Sequence, residues 1–292
     1  MKYNYLISIL LILIFGCQNE TEKSDAFGNF ETESVIVSSE SSGKILLFNI
    51  EKGEKVEPET ITAITDTIQI KLQLLQIDAK KAAVSSREQS TQSQIEVFNE
   101  QKKSLEINKA RITKMKKDGA ATQKQLDDIN GQISIIDKQI LSTKTQFTAI
   151  SKELEVLDSQ TAMLIDQLKR CYVKPPITGI ILETYAKQGE LTAPGKPLYK
   201  IANLDNLTIK VYISGAQLSA VKIGQTVEVL IDKSESKNQS LSGIITWISS
   251  EAEFTPKIIQ TKEERVKLVY AMKVSVKNDG TLKIGMPGEV NW

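Results

Sequence analysis

The sequence predicts an α+β protein: a long antiparallel α-helical coiled-coil hairpin inserted in a split β-sandwich, followed by a small β-barrel. Three observations predict it. A three-four apolar seam runs through the middle of the chain. Two short glycine-marked segments flank that seam and repeat one pattern. Beyond the second of them come short alternating segments separated by polar turns.

The rod is expected over residues 66–171, as two helices joined by a short turn. Its second half carries apolar residues at Leu126, Ile129, Ile133, Ile136, Ile140, Phe147, Ile150, Leu154, Leu157, Leu164 and Leu168. Only Thr143 and Thr161 interrupt the seam, which spans about six heptads. In the first half Ile68, Leu72, Leu75, Ala79 and Ala82 begin a seam, and Phe98, Leu105 and Ile112 continue it. Ser86, Gln89 and Ser93 fall on seam positions between them, so a slip of phase and a bend are expected there. Between the halves, Gly119 is a helix stop and Thr122 an N-cap candidate. No proline occurs from Glu59 to Lys174. Helices of similar length joined by a few residues pack antiparallel. At about 1.5 Å per residue each arm reaches roughly 70 Å. Taken alone, the stretch also fits an ordinary helical bundle, and the flanks decide against that.

Bulk composition narrows the function. The 292 residues suffice for two or three small domains. Lys+Arg numbers 37 and Asp+Glu 36, so no net field draws the chain to nucleic acid. Histidine is absent, which removes the commonest general base and metal ligand. No nucleophile–base pair, metal cluster or phosphate loop stands out, so no enzyme, metal or cofactor is expected. Asp127-Asp128 and Glu263-Glu264 are adjacent carboxylates that point apart on a helix or strand. Lys80-Lys81 and Lys102-Lys103 read as solvated helix faces, too short for a nucleic-acid patch. Cys171, where the second helix ends, reads as a small buried hydrophobe; a reactive thiol is the alternative.

Residues 1–16 read as an export signal. Lys2 supplies the positive start, and the apolar run from Leu6 to Phe15 is too short to span a bilayer. The run ends in Ile14-Phe15-Gly16-Cys17, which resembles the bacterial lipoprotein cleavage box. That resemblance implies acylation of Cys17, an anchor of the two-chain type. A plain secretory signal is the alternative. Residues 17–30 are expected to be a flexible tether.

The flanking segments, 31–65 and 172–203, share their spacing. Ser42-Gly43-Lys44-Ile45-Leu46 parallels Thr178-Gly179-Ile180-Ile181-Leu182. Gly53-Glu54 and Gly189-Glu190 keep one offset, and Pro58 and Pro194 another. Gly43, Gly53, Gly179 and Gly189 read as turn glycines. Neither half is large enough to bury a core alone, so the two are expected to pair into one sandwich. An antiparallel rod permits this by returning the chain to where it left.

Residues 204–292 are expected to form the barrel. Strands are predicted over 207–213, 226–231, 241–249, 265–276 and 286–292, with one or two helical turns at 215–221. Asn278-Asp279-Gly280 is a hairpin-type turn signal.

The order of parts resembles the HlyD-like membrane fusion proteins, the periplasmic adaptors of efflux and secretion pumps. Ile61–Thr67, Val173–Gly179 and Pro197–Ile201 resemble the family's lipoyl-like strands. Val221–Val227 and Ile284–Gly288 resemble its barrel turn and closing segment. Glu251–Pro256 with Gln260–Arg265 resembles the subset working with ABC exporters. In a true lipoyl domain a modified lysine sits at the hairpin between the halves; here the rod replaces it, so no covalent cofactor is expected. Arg111, Met115 and Thr122 resemble the family's tip pattern for docking a TolC-like outer-membrane duct, with Met for Leu and Thr for Ser. Met115 equally fits a seam position, and Thr122 a cap. The resemblance implies an inner-membrane transporter as partner, ABC or proton-driven, and a homo-oligomeric ring, commonly a hexamer. It implies a periplasmic location on the inner membrane of a Gram-negative bacterium. A structural envelope lipoprotein that uses the rod as a spacer, without transport, is the rival reading.

Overall fold

The computed structural model describes residues 24–234, 237–254 and 268–292. Cys17 and the export signal lie outside the described residues, as do Gln260–Arg265 with Glu263-Glu264.

Two helices, α1 (Ile68–Lys117) and α2 (Gln123–Arg170), form an antiparallel hairpin. Their 50 and 48 residues correspond to arms of roughly 75 and 72 Å. Every expected seam position of α2 is buried or half-buried, Thr143 and Thr161 included. Those two hydroxyls donate back along the helix, to the Gln139 and Leu157 carbonyls at 2.9 Å each, so neither enters the seam unpaired.

In α1 the seam differs from the expectation. Ile68, Leu72, Leu75, Ala79 and Ala82 are exposed. Ile70, Leu74, Ile77, Val84 and Ile95 face α2 instead, while Phe98, Leu105 and Ile112 lie on the seam as expected. The base of α1 is apolar on two faces, and periodicity cannot choose between them. Polar pairs across the seam fix the choice. Lys81 Nζ lies 2.6 Å from Asp158, and Lys102 Nζ 2.8 Å from Asp137. Ser151 donates to Glu88 at 2.6 Å. One heptad up α1, from Lys81 to Glu88, matches one heptad down α2, from Asp158 to Ser151. Two more heptads lead to Lys102 and Asp137. The expected slip of phase near Ser86–Ser93 therefore does not occur, and α1 is unbroken there.

The chain before the rod supplies β1 (Ala26–Glu31), β2 (Ser34–Ser38), β3 (Gly43–Phe48), β4 (Lys55–Val56) and β5 (Ala63–Thr65). After the rod come β6 (Tyr172–Val173), β7 (Gly179–Thr184), β8 (Leu191–Thr192) and β9 (Pro197–Ala202). Strands β2 to β9 make two four-stranded sheets, β2-β9-β7-β4 and β6-β5-β3-β8. Each sheet takes two strands from each half, and the exchange is reciprocal. Gly43 and Lys44 pair with Thr192 and Leu191; Gly179 and Ile180 pair with Val56 and Lys55. The Gly53 amide donates to the Ile181 carbonyl, and the Gly189 amide to the Ile45 carbonyl, both at 2.8 Å. Ile45, Ile181, Leu198 and Tyr199 close one core drawn from both halves.

Gly43, Gly53 and Gly189 have φ of +138°, +90° and +91°. Gly179 is not among the positive-φ glycines, which corrects its reading as a turn residue. Its role is close approach: a Cβ there would stand 2.4 Å from the Ala202 carbonyl oxygen.

The remaining strands are β10 (Asn206–Ser214), β11 (Thr226–Ser234), β12 (Lys237–Ile248), β13 (Glu253–Phe254), β14 (Leu268–Lys277) and β15 (Pro287–Asn291). Their order is β10-β1-β15-β11-β12-β14, and β14 pairs again with β10, so six strands close a barrel. Among the described residues, the short β13 pairs with β14 alone. Strand β1 is a correction to the expected tether. Ala26 and Phe30 are buried in the barrel core, and β1 pairs with β10 and β15. Gly28 lies opposite Gly288, and a Cβ on Gly28 would fall 1.9 Å from the Lys210 carbonyl oxygen. Two facing glycines let these strands close around Phe30. Asn278-Asp279-Gly280 is not a hairpin either, because β14 and β15 are not partners. The Asn278 side chain instead accepts from the Gly280 and Leu282 amides and donates to the Leu204 carbonyl.

Candidate functional site

The candidate site is the far end of the hairpin. Helix α1 ends in a Schellman motif: the Ala120 amide donates to the Met115 carbonyl at 2.8 Å and the Gly119 amide to the Lys116 carbonyl at 3.1 Å. Gly119 at the turn has φ +78°. Helix α2 opens with a capping box: the Gln125 amide donates to Thr122 Oγ1 at 3.2 Å, and the Thr122 amide to Gln125 Oε1 at 2.8 Å. Both helix ends are thus satisfied within a few residues, and the turn needs no partner to hold its shape.

Arg111 and Met115 stand one helical turn apart on one face of α1. Both are exposed, and the Met115 side chain is 42% accessible. Met115 is therefore not a seam residue; Ile112 and Lys116 are the half-buried positions beside it. Thr122, across the turn, is exposed, but its hydroxyl already serves the cap and lies 3.2 Å from Gln125 Oε1. Of the three tip residues, Arg111 and Met115 present unengaged side-chain surface, while Thr122 shapes the turn. Lys114, Lys116 and Lys117 fill the last turn of α1, at the negative end of its dipole. Lys116 also hydrogen-bonds Gln123 across the turn.

A tip is useful only if its base is fixed. The Thr65 and Thr62 amides donate to the Cys171 and Val173 carbonyls at 3.0 and 2.9 Å, joining the two strands that enter and leave the rod. The Thr62 hydroxyl donates to the Val173 carbonyl at 3.0 Å and lies 3.1 Å from the Tyr199 hydroxyl. Burial raises the Tyr199 pKa, with the Thr62 contact opposing. Ser41 and Thr65 share a hydroxyl hydrogen bond of 2.6 Å. Cys171 is fully buried here as a small hydrophobe. Thr62, Thr65 and Thr67 recur along the entry strand, and all three are buried. Along the rod, the hydrogen bonds that Lys81 and Lys102 donate to Asp158 and Asp137 hold the two lysines above the ordinary lysine pKa.

Residues 203–292 match a family model described as "LcnD-like, C-terminal domain". The chain is 24% identical over 300 residues to a UPF0194 membrane protein of Acidithiobacillus ferridurans, covering 91% of this chain and 85% of that one. It is 23% identical over 324 residues to a UPF0194 membrane protein of Yersinia enterocolitica, covering 98% and 96%. The crystal structure of MacA from Actinobacillus actinomycetemcomitans covers 91% of this chain and 76% of that one, at 19% identity and a TM-score of 0.64. Helical hairpin, two-sheet sandwich and six-stranded barrel together are the membrane fusion protein, or periplasmic adaptor, fold, and this chain has that fold.

Proposed function

We propose that the chain is a periplasmic adaptor, lipid-anchored through Cys17, that links an inner-membrane exporter to a TolC-like outer-membrane duct. The exporter is of the ABC type, and several copies form a ring of about six around the conduit. The barrel end meets the exporter, the rod crosses the periplasm and the tip docks the duct. The function is geometric: it seals a path and couples two membranes, and the partner supplies the energy.

One observation carries the proposal. The two halves of the sandwich exchange strands reciprocally, and they do so only because the rod runs out and back. A stalk on a separate head needs no such arrangement. At the tip, Met115 would enter an apolar groove between partner helices while Arg111 makes hydrogen bonds. Thr122 would add its edge beside them.

The test is Met115→Asp in cells, read as export and as protein level. A carboxylate forced into an apolar groove costs on the order of a few kcal/mol. Export is expected to be lost at unchanged protein level. Unchanged export removes the docking role of the tip and favours a spacer without transport. Co-purification from crosslinked cells then identifies the transporter and duct directly.

A further inference from the structure

The outer wall of the barrel breaks a rule of sheet pairing. Lys210 on β10 and Lys273 on β14 are direct cross-strand partners, and like charges set opposite each other destabilise a sheet. The chain answers each lysine with a carboxylate and an aromatic ring. Lys210 Nζ lies 3.5 Å from Glu253 and 5.3 Å from the Tyr212 ring centroid. Lys273 Nζ lies 3.2 Å from Glu31 and 5.9 Å from the Trp247 ring centroid. Beside this second lysine the wall carries a groove of about 550 Å³.

A bulge builds one side of the groove. The register of β12 against β14 shifts between Ile245 and Trp247. Side chains normally alternate between faces along a strand, but Thr246 and Trp247 both line the groove here. Trp247 stays 41% accessible. The opposite side is Glu31 with Thr32 and Glu33, the two residues that link β1 of the barrel to β2 of the sandwich. The Thr32 hydroxyl donates to the Asn203 carbonyl at 3.0 Å, on the return link from β9 to β10. Thr208 of β10 lies between the two sides, and Lys273 reaches past that strand from β14 to Glu31 on β1. The sides stand three strands apart, roughly 14 Å along the sheet.

We infer that this groove binds a linear, uncharged oligosaccharide. Trp247 supplies a flat apolar ring with a polar edge, which suits the C–H face of a pyranose. Around it lie hydroxyls and carboxylates, and a carboxylate takes strong hydrogen bonds from sugar hydroxyls. Other ligand classes fit worse. Among the described residues no aliphatic side chain lines the groove, so an acyl chain finds no apolar bed. Lys273 is already met by Glu31, and Glu33 adds a negative charge, so a phosphate group is repelled. The distance between the sides suits a chain of rings rather than one. Ligand sites concentrate at junctions between domains, and Thr32 ties together both connections between barrel and sandwich.

The test uses the purified full chain and three neutral probes: maltotriose, cellotriose and triacetylchitotriose. Saturation-transfer NMR is expected to show at least one of them bound saturably in the millimolar range, with the strongest transfer to ring C–H protons. Trp247→Ala should weaken that binding at least tenfold and Trp247→Tyr should keep most of it, with circular dichroism unchanged in both. Glu33→Ala should weaken it severalfold. Saturable binding of none of the three probes would overturn the inference. Unchanged affinity in either Trp247→Ala or Glu33→Ala would overturn the site. Binding of trilysine alone, lost in Glu33→Ala, would make the groove a site for basic peptides instead. None of these readouts involves export, so they stand or fall apart from the adaptor reading.

Discussion

At the scale of single residues, two positions show how differently a sequence signal and its structural role can relate. Thr122 was legible as an N-cap candidate, and in the structure Gln125 completes a capping box with it through reciprocal hydrogen bonds. Its cap role makes a clear prediction. Thr122→Ala should lower stability by about 1 kcal/mol in urea denaturation, and Thr122→Ser should restore it. A Thr122→Ala protein as stable as the parent would mean the cap is not holding the tip. Gly179 was legible only as a glycine. Its pairing in the repeat with Gly43 suggested a turn, whereas the reason for glycine is the Ala202 carbonyl 2.4 Å from where a Cβ would be. Sequence spacing shows that a position is special without showing whether φ or proximity makes it so.

At the scale of elements, the split sandwich sharpens that distinction into a measurement. Gly179→Ala forces β7 away from β9 and should cost roughly 1–3 kcal/mol, as overpacking does. Gly53→Ala meets nothing within 4 Å, and only its φ of +90° opposes it, so a smaller loss is expected. Equal urea midpoints for the two variants would refute the close-approach account. The elements also divide by how far they could be read. The α2 seam was readable to the residue because its apolar residues recur at sustained three-four spacing, while the exposed Ile135, Leu141 and Val156 form no competing seam. The α1 seam was not, because the surplus apolar stripe at Ile68, Leu72 and Leu75 competes with Ile70, Leu74 and Ile77. Only the partner helix, through Asp158 and Asp137, selects the face. Strand β1 was missed because a six-residue segment holding Gly28 alternates too weakly to announce itself, and its partners lie at the far end of the chain. At the tip, Arg111 and Met115 were named from resemblance to a family pattern, and that could not show their exposure; Met115 had an equal claim to the seam.

At the scale of the whole molecule, the rod has two arms of nearly equal length, and its regular register allows that length to be changed without disturbing either end. Residues 88–94 of α1 and 145–151 of α2 form a matched heptad pair, since Glu88 meets Ser151. Deleting both keeps the heptad phase in each arm, keeps the Lys81–Asp158 and Lys102–Asp137 pairs, and leaves sandwich, barrel and tip unaltered. The rod then shortens by roughly 10 Å. Deleting one heptad alone should instead break the match and unfold the upper hairpin. If the protein works by spanning a set distance between two membranes, the double deletion should fold, as judged by circular dichroism and thermal melting, and reach the membrane in normal amount. It should nevertheless export at least tenfold less, because a tip held short of its duct cannot dock whatever its chemistry. Lengthening the partner duct by a comparable amount should recover export, which a general folding defect would not allow. Normal export by the folded, shortened protein would refute reach as the purpose of the rod. The paired deletion thus separates length from surface: Met115→Asp alters the proposed docking surface at full length, and the deletion removes the length with that surface intact.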